Sequence, residues 1–204
     1  RSIYLLPGKC LFMQAIQGSG KSTVANSLQN VVRIEQDMCW GCTKVAQFQL
    51  MWHLLHGRDV VVSRCNVNPK QYQAYLKIAM DIGAQVLFAT SNDTSSPLYL
   101  ATALAGVKNR SANGDMMMVG RREYPMEEVV RFTTGNWKDL KVETKAVVIP
   151  SFRMDSSLEA QAANALKKNK VSEFVESHSV ELMALRLPLE TIVANHQELF
   201  DATP

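Results

Sequence analysis

Between positions 15 and 23 the chain reads Ala15-Ile-Gln-Gly-Ser-Gly-Lys-Ser-Thr23, a run whose residue types suit the capture of a phosphate chain. Gly18 and Gly20 accept φ/ψ values closed to other residues and let backbone N–H groups turn inward around an anion. Lys21 supplies a point charge for β- and γ-phosphates, Ser22 offers a hydroxyl to Mg²⁺, and the helix starting there points its positive end at the anion. The phosphate-loop pattern is met at its last three defining positions, with Ala15 where the first glycine is usual. Gln17, Gly18, Ser19, Gly20, Lys21, Ser22 and Thr23 are the expected nucleotide contacts, with Ser22 at the metal. An ordinary Gly-Ser-Gly turn capping a helix is the alternative; a position between a predicted strand and a predicted helix favours the phosphate loop.

Two more polar clusters follow apolar runs. Glu35-Gln36-Asp37 ends the stretch 31–34, and Arg64-Cys-Asn-Val-Asn-Pro69 follows the β-branched run 59–63. A carboxylate at Asp37, across the rim from the phosphate loop, would orient a hydroxyl nucleophile in line with a γ-phosphate; the same residue type also suits a helix N-cap. Asn66 and Asn68 donate and accept, so they either hold an acceptor or fix a strand-to-helix turn, Asn-Pro being a turn signal.

The elements that must position these residues alternate. Strands are predicted over 3–16, 31–34, 59–63, 85–90 and 145–152, with helices over 22–29, 43–56, 69–82, 98–107, 127–132 and 157–168, the last with Ser157 near its N-cap. Residues 108–118 read as a polar, then Met-rich loop, and 171–200 as two helices broken at Pro188. Alternation at this spacing implies βαβ crossovers: an α/β fold with a parallel sheet flanked by helices on both faces, and a helical C-terminal tail. Ligands in such sheets gather at the carboxyl ends of the strands, where the three polar clusters fall. The expected division is a domain over 1–169 and a helical extension, 170–204, packed on it.

A phosphate loop, an Asp after the second strand and then Cys65-Asn-Val-Asn-Pro69 resembles the polynucleotide 5'-hydroxyl kinases, above all the kinase modules of RNA-repair and tRNA-ligase enzymes. The resemblance covers 3–135 by motif order and extends more loosely to 169. It implies a P-loop kinase fold and transfer of the γ-phosphate of ATP or GTP, with Mg²⁺, to the 5'-OH end of RNA, DNA being the less expected acceptor. By the same resemblance Asp37 is the base; beside it, Lys21 is expected at the transferring phosphoryl group and Asn66 and Asn68 at the acceptor, with Arg64 either gripping the acceptor phosphate or marking a different acceptor. Lys108 and Arg110 belong to a lid over the triphosphate, with Arg110 neutralising transition-state charge.

The chain departs from that family at several positions. Arg64 stands where an acidic residue is usual, Trp40 where an Arg often follows the base, and the lid Lys108-Asn-Arg-Ser-Ala-Asn-Gly-Asp115 has one Arg rather than two. Two other functions fit the same phosphate loop. One is a kinase of a small hydroxylated metabolite or antibiotic, which needs no channel for a strand; the other is a nucleotide- or RNA-binding module without catalysis.

A chain of 204 residues, 47% hydrophobic, is long enough for one sizeable core. A net charge of +3 suits a phosphate-bearing ligand and falls short of a protein that coats nucleic acid. No apolar run approaches bilayer-crossing length and the start lacks a secretory pattern, so an intracellular, cytoplasmic or nuclear location with no membrane partner is expected. The start at Arg1 puts other domains of a longer chain among the expected partners. Cys39-Trp-Gly-Cys42 with His53 and His56 raises zinc, but the spacing is short for a finger and the His neighbours are apolar, so core packing is expected. Arg121 and Arg122 form a second basic pair, Met116-Met-Met118 adjoins the lid, and His178 and His196 sit isolated in the tail.

Overall fold

The computed structural model describes residues 5–39, 41–91, 95–109, 116–119, 122–135 and 146–202. Strand β1, Cys10–Gln14, is buried along its whole length, Cys10, Leu11 and Phe12 being 0% exposed. A run so uniformly buried, apolar up to Gln14, belongs at the centre of a parallel sheet covered on both faces. After it come α1 (Lys21–Ser27), β2 (Val31–Ile34), a 3₁₀ turn (Asp37–Cys39), α2 (Thr43–Leu55), β3 (Asp59–Val62), α3 (Pro69–Ile82), β4 (Val86–Thr90) and α4 (Pro97–Lys108). The later elements are β5 (Met116–Val119), β6 (Arg122–Pro125), α5 (Met126–Gly135), β7 (Val147–Val148), α6 (Ser156–Lys167), α7 (Val171–Ser177), α8 (Ser179–Ala184) and α9 (Leu189–Asp201).

Among the described residues five strands form a parallel sheet in the order β2-β3-β1-β4-β7. Alternate residues of β1 serve its two faces. Cys10 and Phe12 join Leu50 and Leu54 of α2 and Tyr72 and Tyr75 of α3. Leu11 and Met13 join Val24 and Ala25 of α1 and Ile192 and Phe200 of α9. Helix α4 is buried from Leu98 to Val107, as a helix apolar all round must be, and α5, α6, α7 and α8 pack around it. The tail therefore has two footholds, α7 and α8 on α4 and α9 on α1. No helix among the described residues is long and apolar enough to cross a membrane.

Several boundaries differ from the sequence reading. The first strand starts at Cys10 rather than at position 3, because β3 and β4 offer their first partners, Val60 and Val86, only there. The expected loop 108–118 ends in strand β5, which pairs antiparallel with β6 in a two-stranded sheet. A Met run carries no alternation, so only the partner strand reveals it. The last strand shrinks to Val147–Val148; Ile149 still donates to the Thr90 carbonyl (2.8 Å), and Pro150 has no N–H to continue. Helix α6 is capped by Asp155, whose Oδ1 accepts from Leu158 N (2.9 Å), not by Ser157. The tail holds three helices, with an extra break at His178, where the Ser177 hydroxyl donates to the carbonyls of Glu173 (3.0 Å) and Phe174 (3.1 Å) in competition with the helix.

Candidate nucleotide and acceptor site

The loop between β1 and α1 requires two glycines. Gly18 and Gly20 take φ values of +80° and +93°, in the left-handed region. Gly18 also lies against α4 so closely that a Cβ would collide with the Ala103 carbonyl. The Ile16 carbonyl collects the loop's donors: Ser19 Oγ at 2.8 Å, Ser19 N at 3.4 Å and Lys21 Nζ at 3.4 Å. Beneath, the Tyr99 hydroxyl of α4 accepts from Ile16 N (3.4 Å) and is hydrogen-bonded to Ser91. Burial pushes the Tyr99 phenol up to about 12, so it braces the loop as a neutral group. Gln17 Oε1 is buried with no hydrogen-bond partner among the described residues, whereas Thr23 is exposed on α1.

Ser22 meets a residue the sequence reading left without a role. Its hydroxyl donates to Glu35 Oε1 (3.2 Å), just past the end of β2, and Glu35 is also ion-paired with Arg33. A hydroxyl and a carboxylate are the hard oxygen donors a Mg²⁺ ion takes, so the pair fits that ion. The polar run 35–37 marked this rim in the sequence; that Glu35 turns toward Ser22 is a tertiary fact.

Asp37 opens the 3₁₀ turn that follows β2, a turn closed by bonds from Met38 N to the Glu35 carbonyl (3.2 Å) and from Cys39 N to the Gln36 carbonyl (3.0 Å). The next helix takes its N-cap at Cys42, so Asp37 does not occupy that cap.

At the end of β3 the chain is drawn toward the phosphate loop by the bond from Ala15 N to the Cys65 carbonyl (3.1 Å). Asn66, with φ +49° and 0% exposure, donates its amide to the carbonyls of Met13 (2.8 Å) and Val62 (3.3 Å). Its side chain pins the turn and is fully buried. Asn68 is the N-cap of α3 without a side-chain cap bond, and its Oδ1 is buried with no partner among the described residues. Arg64 donates to the Gln71 carbonyl (2.9 Å) and lies over the Tyr75 ring, 5.3 Å from its centroid. Asn66→Ala is expected to lose about 1–3 kcal/mol of stability in urea unfolding, and Asn66→Gly less, because glycine tolerates the positive φ.

Lys108, expected at the triphosphate, pairs with Glu176 of α7 (3.1 Å). Arg110 and Arg121 lie outside the described residues, and Arg122 is exposed on β6. Among the described residues no group of three or more His, Cys, Asp and Glu could hold a metal ion; Cys39 is buried and hydrogen-bonded to Gln49, and the His56 ring lies tilted against Trp52, 4.2 Å between centroids. His196, read as isolated, lines a cleft beside the loop with Ser19, Lys21, Ser91, Ser151 and Ile192; burial lowers its pKa.

No family model and no curated protein matches the chain. Among solved structures, a fungal RNA kinase aligns with 92% of this chain at 14% identity and TM-score 0.47; the chain spans 53% of that protein. A gluconokinase from Sinorhizobium meliloti 1021 aligns over 85% of this chain and 99% of its own at 13% identity and TM-score 0.46. An APS kinase from Mycobacterium tuberculosis, in complex with AMPPNP and APS, covers 79% and 98% at 13% identity and TM-score 0.42. The chain's own sheet, in the order β2-β3-β1-β4-β7 with helices on both faces, is a parallel α/β fold in which a glycine-rich loop leads from the central strand into α1, the strand-loop-helix setting of a phosphate loop.

Proposed function

We propose that the chain is a nucleoside-triphosphate-dependent polynucleotide 5'-hydroxyl kinase, taking ATP or GTP as donor and RNA ahead of DNA as acceptor. The observation that carries the reading is the convergence, at the carboxyl ends of β1, β2 and β3, of the phosphate loop, the Glu35–Asp37 segment and the Arg64–Asn68 turn. The motif resemblance supplies the acceptor class.

In this reading Lys21 and the loop amides grip the triphosphate. Asp37 takes the proton of the attacking 5'-hydroxyl as its oxygen bonds to the γ-phosphorus; the bond to the β–γ bridging oxygen breaks and the nucleoside diphosphate leaves. Ser22 and Glu35 would hold Mg²⁺, which when bound neutralises charge on the β- and γ-oxygens. Arg110 is the proposed lid charge. Arg64 and Asn68 border the acceptor side, while Asn66 holds the turn that carries them.

The deciding experiment is transfer of labelled γ-phosphate from ATP and from GTP to matched 5'-OH RNA and DNA oligonucleotides, with small hydroxylated metabolites as competing acceptors. Transfer to the oligonucleotide is the expected result. The internal engagement of Arg64 and Asn66 favours the metabolite kinase as second reading, and transfer to a metabolite with none to a strand would replace the first with it.

Glu35→Gln is expected to raise the Mg²⁺ concentration for half-maximal transfer about tenfold, as befits a lost charged ligand. Mn²⁺ binding in the presence of nucleotide, followed by electron paramagnetic resonance, should weaken in parallel. Unchanged Mn²⁺ binding would remove Glu35 from the metal site.

A further inference from the structure

Between α8 and α9 the chain runs antiparallel to the segment that follows β7. Phe152 and Arg186 form the bridge, Arg153 N donates to the Leu185 carbonyl (2.8 Å), and Leu187 N donates to the Ser151 carbonyl (3.0 Å). This short ladder fixes the backbone at Arg186 and sends its guanidinium to the phosphate loop. There Nη2 donates to the Gly18 carbonyl and to the Thr102 carbonyl of α4, the latter at 3.2 Å. Nη1 stands 3.9 Å from where a Cβ on Gly20 would lie.

Gly106 makes the approach possible. A Cβ at that position would collide with both the Arg186 guanidinium and the Gly18 carbonyl. Glycine is disfavoured against alanine inside a helix, and this close approach is the physical reason for one near the end of α4.

We infer that Arg186 is a positioning residue for the phosphate loop, so that the C-terminal segment is part of the nucleotide site; the inference rests on the nucleotide-binding reading of that loop. The peptide joining Gly18 to Ser19 is planar and trans, so its carbonyl and its N–H point to opposite sides. Holding the carbonyl outward on Arg186 holds the Ser19 N–H inward, where it meets the Ile16 carbonyl at 3.4 Å. A bond that long is weak and exchanges readily for a phosphate oxygen. Glycine at 18 can reach either orientation of the peptide, and a charge-assisted bond on its carbonyl selects the one that keeps the amide in the cradle. Glu176 of α7 pairs with Lys108 at the end of α4, and Ile192 of α9 joins the core cluster of Met13 and Val24, so the elements on either side of Arg186 are anchored to the same framework.

The test is the affinity of the full chain for fluorescent ATP and GTP analogues in wild type, Lys21→Ala, Arg186→Gln and Arg186→Lys. Arg186→Gln is expected to weaken binding about tenfold, the loss of one charge-assisted bond, with Arg186→Lys recovering most of it. A second measurement uses wild type alone: saturating analogue should slow hydrogen exchange of the backbone over 185–187, since coupling between two sites is reciprocal. Wild-type affinity in Arg186→Gln while Lys21→Ala has lost binding overturns the role of Arg186 and leaves the phosphate loop standing, as does unchanged exchange over 185–187. A wild-type chain that binds neither analogue overturns both.

Discussion

Asp37→Ala is expected to lower phosphoryl transfer by about 10²–10⁴-fold, the usual worth of a positioned general base, while nucleotide affinity stays within about twofold. The split follows from the topology. β3 lies between β2 and β1, so the ends of β2 and β1 stand about 10 Å apart, two strand spacings. In the proposed reaction a group just past the end of β2 serves an acceptor hydroxyl lying between it and the loop, and it need not touch the bound nucleotide. Asp37→Asn keeps size and polarity and removes only the capacity to take a proton, so it should fall nearly as far as alanine. The readouts are transfer rate at saturating donor and, separately, analogue affinity. Equal loss of affinity and rate would assign Asp37 to the nucleotide, and full activity in Asp37→Asn would end its role as base.

Lys21→Met is expected to cost about 10²–10³-fold in transfer rate, comparable to removing one preorganised donor from a developing negative charge. Unlike Asp37→Ala, it should also weaken nucleotide binding, because in the proposed reaction the ammonium meets the β- and γ-phosphates in the ground state as well. The bond from Lys21 Nζ to the Ile16 carbonyl, 3.4 Å, is long, so little internal structure is lost when a phosphate oxygen takes that partner's place. Methionine retains most of the apolar stem, so a matching unfolding midpoint separates a charge effect from a folding defect. Wild-type binding and turnover in Lys21→Met would overturn the phosphate-loop reading, and with it the donor half of the proposed reaction.

These two substitutions touch parts of the site with different structural support. The phosphate loop rests on a buried platform: Gly18 on Ala103, Ile16 on the Tyr99 hydroxyl, and Gly106 beneath Arg186. Asp37 rests on a turn of three residues tied to its neighbours by backbone bonds. Strain in α4 would therefore reach the donor side before the acceptor side.

The nine residues from Ala15 to Thr23 determined the loop by themselves, since positive φ at Gly18 and Gly20 is a local demand met by glycine's missing side chain. The β-α alternation was legible for the same reason: each strand and helix through α4 carries its own periodicity and stop signals within a short window. Tertiary structure decided what depends on partners distant in the chain. Arg186 carries no local mark, because the carbonyl it serves belongs to Gly18, and only the ladder beside Ser151 brings the two together. Asn66 reads equally as ligand or turn former until Met13 and Val62 claim its amide. Glu35 and Asp37 share one polar run, and β2's placement beyond β3 determines that Glu35 reaches Ser22. Strand β5 exists because β6 supplies its ladder, which no pattern within Met116–Val119 foretells. Local dihedral preference and side-chain periodicity are properties of a short segment, whereas a hydrogen bond's partner is chosen only when the whole core has closed around it.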